Sequence, residues 1–69
     1  MLELDLILEP FAKQQFPNLS DSDQRDYIAL LSCEDQDLFD WFLKKKPVGE
    51  NALVDIVDTV LRFQANRKL

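Results

Sequence analysis

The apolar residues of this chain recur at intervals of three and four, and no stretch alternates apolar and polar residues long enough to line one face of a strand. The plainest case is Leu53, Ile56, Val57, Val60 and Leu61, spaced i, i+3, i+4, i+7, i+8 after Asn51. Leu4, Ile7, Leu8 and Phe11 follow the same rule near the N-terminus. Tyr27, Ile28, Leu30 and Leu31 are expected to form one broad buried face. Leu38, Phe39, Trp41, Phe42 and Leu43 form another, covering about 200° of a helix at roughly 100° per residue. The pattern predicts an all-α fold, a small helical bundle with helices near Leu2 to Gln15, Asp21 to Ser32, Gln36 to Lys45 and Ala52 to Asn66. By the width of its apolar arc, the third reads as the central core helix.

The breaks fall at Phe16-Pro17-Asn18, at Glu34-Asp35-Gln36-Asp37 and at Lys46-Pro47-Val48-Gly49. Ser20 is placed to cap the second helix by accepting from the backbone three residues on, with Asp23 as its approximate reciprocal partner. Asp35 is the expected cap of the third helix. Lys44, Lys45 and Lys46 lie at that helix's negative end, and Pro47 excludes the residue before it from helical dihedrals. Asp58 and Arg62 are an i, i+4 pair on the last helix, and Arg67 and Lys68 favour its C-terminus. Two features of the first segment break the pattern. Pro10 lacks the backbone donor that would reach Leu6, which predicts a kink or a helix that restarts there. Leu2 and Leu6 project nearly opposite to Phe11, so this helix carries a second apolar face with no local cover.

With 69 residues the chain is expected to form a single domain over 1–69. Small domains are often stapled by disulfides or zinc, but Cys33 is the only cysteine and histidine is absent. Nearly all large apolar side chains are therefore needed inside. Net charge at pH 7 is −5, which disfavours nucleic acid and anionic membrane surfaces as partners. No apolar run approaches the roughly 20 residues of a membrane span, and the N-terminus lacks the features of a signal peptide. The expectation is a protein of the cytoplasm, without direct membrane insertion.

Catalysis finds few groups to work with. No histidine can serve as acid or base near neutral pH, the single Gly49 cannot form a phosphate-cradling loop, and no hydroxyl lies in a nucleophile elbow. The chain is expected not to be an enzyme and to hold no cofactor of its own. Asp23 with Asp26, or Asp55 with Asp58, share helix faces but read as solvation rather than a metal site. The Asp21 to Ser32 stretch resembles a calcium loop only superficially, with Asp26 where glycine is needed and Ser32 where glutamate is needed. Cys33, followed by Glu34 and Asp35, lacks the positive neighbours that create a thiolate and reads as a small hydrophobe. Phe39, Trp41 and Phe42 read as core rather than hot spot, and Lys44 to Lys46 as a solvated helix end rather than an anion patch.

Two longer stretches carry a family resemblance: Met1-Leu2-Glu3-Leu4-Asp5-Leu6-Ile7-Leu8-Glu9-Pro10-Phe11, and Leu30-Leu31-Ser32-Cys33-Glu34-Asp35-Gln36-Asp37-Leu38-Phe39-Asp40-Trp41. Together they resemble the small succinate dehydrogenase assembly (flavinylation) factors. Those proteins carry an Arg-Gly-x-x-Glu motif leading into a Leu-Asp-x-x-Leu-x-Pro-Phe helix, then a Leu-Leu-x-x-x-Asp-x-Asp-Leu-Phe-x-Trp segment. Met1 and Leu2 match the variable positions of the first motif and Glu3 its glutamate. The Arg-Gly pair and the family's first helix would lie upstream of Met1, so the expectation is an N-terminally truncated member with four of the family's five helices.

The resemblance implies a bundle that docks on the flavoprotein subunit of succinate dehydrogenase or fumarate reductase. There it would promote covalent attachment of FAD, with the chemistry left on the partner and the factor a monomer when free. Met1, Leu2, Glu3 and Leu6 are the expected partner-binding residues. An antitoxin-like regulatory protein-binding module is the alternative, separable by whether a flavoprotein subunit or a membrane-anchored toxin co-purifies.

Overall fold

The computed structural model describes residues 2–66, with the side chain of Leu2 outside that description. Four α-helices follow one another: α1 Leu2–Gln14, α2 Asp21–Leu31, α3 Asp35–Phe42 and α4 Asn51–Asn66, with a 3-10 turn at Phe16–Asn18 between the first two. Among the described residues there is no strand. The expected Arg67 and Lys68 contribution to the end of the last helix lies outside the described residues.

Local chemistry explains most of the boundaries. Ser20 stands in extended backbone ahead of α2, and its hydroxyl accepts the Asp23 N–H at 3.1 Å. Asp21 and Asp23 occupy the first turn, where the helix dipole favours negative charge. The 3-10 turn closes on Asn18 N–H to the Gln15 carbonyl and Leu19 N–H to the Phe16 carbonyl, and the Gln24 side chain ties it to α2 by donating to the Phe16 carbonyl at 2.9 Å.

Two expectations about elements are corrected, and of the two outcomes expected at Pro10 the restart does not occur. Asp35 does not cap α3: Glu34 is the extended residue at that position, and Asp35 is already the first helical residue. α3 stops at Phe42, three residues short of Lys45, because the backbone turns away there. Lys45 takes a left-handed conformation (φ 59°), and the Lys46 N–H folds back to the Asp40 carbonyl at 2.9 Å. α1 runs continuously through Pro10 without restarting. The carbonyl that Pro10 cannot reach belongs to Leu6, which is on the solvent side of the helix. Leu8 and Phe11, flanking the proline, are pinned in the core. Burial on both sides offsets the cost of an interior proline, on the order of 3 kcal/mol.

One apolar core joins the helices. Leu4, Ile7, Leu8 and Phe11 of α1 are buried, and so are Leu53, Ile56, Val57 and Val60 of α4, as their spacing predicts. α4 packs against α1, α2 and α3, and it, rather than α3, is the central helix. Length decides this: at about 1.5 Å per residue, the 8 residues of α3 cannot span a molecule 29 Å long, whereas the 16 of α4 nearly do. From α3 only Leu38, Trp41 and Phe42 are buried, and Leu43, just past its end, is 36% exposed. From α2 only Tyr27 and Leu30 are buried, whereas Ile28 and Leu31 are exposed.

α1 and α2 are joined by an aromatic contact and a polar one. The Tyr27 ring lies 5.2 Å from that of Phe11 and 5.6 Å from that of Phe16, and Phe63 meets Phe11 edge-on at 5.5 Å. The Tyr27 hydroxyl donates to the Leu8 carbonyl at 2.9 Å in a buried setting. Burial pushes the Tyr27 pKa above its ordinary value, because the phenolate would be desolvated.

Candidate docking face on the first helix

The sequence of α1 divides its circumference in two. Leu4, Ile7, Leu8 and Phe11 face the core, so residues three and four apart on the opposite side face outward: Glu3, Leu6, Glu9 and Pro10, then Lys13. Leu6 is 62% exposed. A depression of about 350 Å³ runs along this side, lined by Asp5, Leu6, Glu9, Pro10, Lys13 and Gln14. Glu9 and Lys13 are paired across one turn at 3.1 Å, both well exposed, which stabilises the helix only slightly.

Of the residues expected to bind a partner, Glu3 and Leu6 stand together on this exposed side of α1. Met1 and the Leu2 side chain lie outside the described residues. Asp5, Glu9, Pro10 and Lys13 share the depression but were not read as site residues, although continuing the i+3, i+4 steps from Leu6 reaches Glu9, Pro10 and Lys13. The face is an apolar anchor ringed by carboxylates. It can dock onto a surface that offers an apolar recess and basic groups.

Among the described residues no three His, Cys, Asp or Glu side chains converge as a metal site. The Cys33 thiol donates to the Ala29 carbonyl at 3.7 Å, and its pKa is raised by burial first and then by the charges of Asp37 and Glu50. That is the reverse of an activated thiolate. Among the described residues no helix is long and apolar enough to cross a membrane.

Comparison with known proteins places the chain in a family. The family described as flavinator of succinate dehydrogenase matches residues 1–64. The FAD assembly factor SdhE of Pseudomonas putida is 43% identical over 61 residues, covering 88% of this chain and 73% of the relative. That of Mannheimia succiniciproducens is 39% identical over 64 residues, covering 93% and 74%. That of Vibrio vulnificus is 41% identical over 58 residues, covering 80% and 67%. No solved structure has a significant match to this chain.

Proposed function

The chain belongs to the family of flavinators of succinate dehydrogenase, and on that premise we propose that it is an FAD assembly factor. It docks on the flavoprotein subunit of succinate dehydrogenase and promotes covalent attachment of FAD there. The observation that carries this reading is the family match over residues 1–64. The fumarate reductase flavoprotein is a second partner of the same kind. The chain acts as a non-catalytic assembly factor: FAD and the residue that bonds it belong to the partner, and this chain contributes neither cofactor nor acid–base chemistry.

Docking runs through the outer side of α1, with Met1, Leu2, Glu3 and Leu6 as the contact set. Leu6 supplies apolar area and Glu3 a carboxylate that accepts from a basic group on the partner. The factor is a monomer when free and works in the cytoplasm, where a reducing environment suits a chain with the single thiol of Cys33. Nucleic acid is no partner of a chain with net charge −5.

The test is in-gel flavin fluorescence of the flavoprotein subunit in cells that lack their own factor and make either this chain or its Glu3→Ala variant. The wild-type chain should restore covalent flavin. Glu3→Ala should lower it while changing stability by no more than about 0.5 kcal/mol, since Glu3 is exposed. Failure of the wild-type chain to raise flavin attachment overturns the function. Full attachment with Glu3→Ala removes Glu3 from the site.

A further inference from the structure

A second groove lies away from the α1 face, where the segment after α3 passes over the middle of α4. Its volume is about 210 Å³; Trp41, Val54, Val57 and Leu61 give it an apolar lining, and Lys45 and Lys46 stand on its rim. Val54 is exposed, although it sits on the helix whose other valines are all buried. Nothing in the docking of α1 uses this groove.

Its charge runs against that of the rest of the chain. The protein carries 13 carboxylates and 8 cations. The one carboxylate lining this groove, Asp58 on the far rim, is already held by Arg62 at 3.0 Å; Asp40, outside the lining, is taken by Lys46 at a stretched 3.9 Å and by the Gln36 side chain at 2.9 Å. Lys45 has no carboxylate within ion-pair distance among the described residues. The α3 C-terminus adds partial negative charge nearby, which the lysines offset.

A polar group also waits in the lining. Trp41 is 7% exposed, yet its indole N–H meets no acceptor among the described residues. No side-chain nitrogen or oxygen is sealed inside without a partner, so this nitrogen belongs to the part of Trp41 that reaches the surface. A buried tryptophan usually finds an acceptor for that proton. Lys45 is unusual in a different way: it holds a left-handed backbone (φ 59°) at a helix end, where glycine or asparagine is the usual occupant. Its side chain lines the groove with no ion-pair partner among the described residues.

The geometry points to an acidic, apolar-anchored segment of the flavoprotein subunit as the occupant of this groove. An apolar side chain of that segment packs on Trp41, Val54 and Leu61, and a neighbouring carboxylate pairs with Lys45 and Lys46 and accepts from the Trp41 indole. This inference rests on the reading that the chain docks on a flavoprotein, and extends it. The acidic α1 face and the basic groove are surfaces of opposite sign, which fixes one orientation of the factor on its partner and penalises the reverse.

The experiment measures binding of the succinate dehydrogenase flavoprotein subunit to the wild-type chain, to Lys45→Gly and to the double variant Lys45→Glu/Lys46→Glu, with a melting curve for each. Lys45→Gly relieves the left-handed strain while removing the cation, so it should melt at or above wild type and bind several-fold more weakly. The double variant should bind about tenfold more weakly or worse, and lose part of the salt dependence. If the wild-type chain binds and both variants match it, the groove assignment is overturned and the α1 docking stands. If the wild-type chain does not bind, the docking reading falls and the groove with it. A wild-type dimer that Lys45→Gly dissolves would give the groove to a second copy of the chain and likewise overturn the assignment.

Discussion

Leu6 and Leu8 are the same residue type two positions apart on one helix, and they meet opposite fates: Leu6 is 62% exposed and Leu8 is 7% exposed. The difference is phase. Two residues turn a helix by about 200°, so Leu8 joins Leu4, Ile7 and Phe11 in the core, while Leu6 joins Glu3, Glu9 and Pro10 toward solvent. On the inner face the apolar side chains share one core and are held by mutual contact. On the outer face a leucine stands among carboxylates with no neighbour to hide it. Leu6 is the most exposed of the described large apolar residues, ahead of Ile28 and Leu31, and it is the one that stands one turn from the Glu3 proposed to contact the partner.

The comparison is tested hardest on the inner face. Phe11→Ala should cost about 3–5 kcal/mol, since the ring is fully buried and touches those of Tyr27 and Phe63. Against a total stability of roughly 5 kcal/mol, such a variant should be largely unfolded at 37 °C. Urea denaturation measures it, and an unchanged midpoint would show that the inner face does not hold the bundle together.

A smaller effect is expected at the polar link between α1 and α2. Tyr27→Phe removes the hydrogen bond to the Leu8 carbonyl and should cost about 1 kcal/mol. The same group gives a pH dependence. Burial raises the Tyr27 pKa above its ordinary 10.0, so the folded state holds the phenolic proton more tightly than the unfolded one. The resulting stabilisation is complete below about pH 10 and is lost as pH climbs from there through the raised folded value. Wild type should therefore lose melting temperature above pH 10 faster than Tyr27→Phe does. Parallel curves for the two would remove Tyr27 from the account.

The smallest change in stability belongs to the outer face. Leu6→Gln should shift folding by no more than about 0.5 kcal/mol, because little is buried and glutamine suits a helix. Covalent flavin on the partner should nonetheless fall. A variant that retains full flavin attachment would leave Leu6 as an ordinary surface leucine, and the contrast between the two faces would carry no function.

Much of this was legible in the residues. The α4 stripe and the inner stripe of α1 are buried as their spacing predicts, and the Ser20 cap holds its expected partner. The uncovered character of Leu6 was also readable, because it lies too far around the helix from Phe11 to share its contacts. Less legible was α2, where Ile28 and Leu31 belong to a broad apolar run yet emerge exposed, since only the sector around Tyr27 and Leu30 faces α4. The groove at Trp41 escaped sequence reasoning because one wall comes from α3 and the segment after it and the other from α4, and only packing brings them together.

Periodicity, caps and prolines therefore determined the helical class, the breaks and the phase of each apolar face, because all of these are set by residues within a turn or two of one another. Which of two apolar faces is covered depends on how many neighbours a helix has, and that is a property of the packed bundle. Tertiary structure alone made α4 the hub and α3 a short flank, carried α1 through Pro10, and turned the chain at Lys45 so that two lysines line the same groove as Trp41. Each is a case where contacts distant in sequence outweigh a local preference of a few kcal/mol at most.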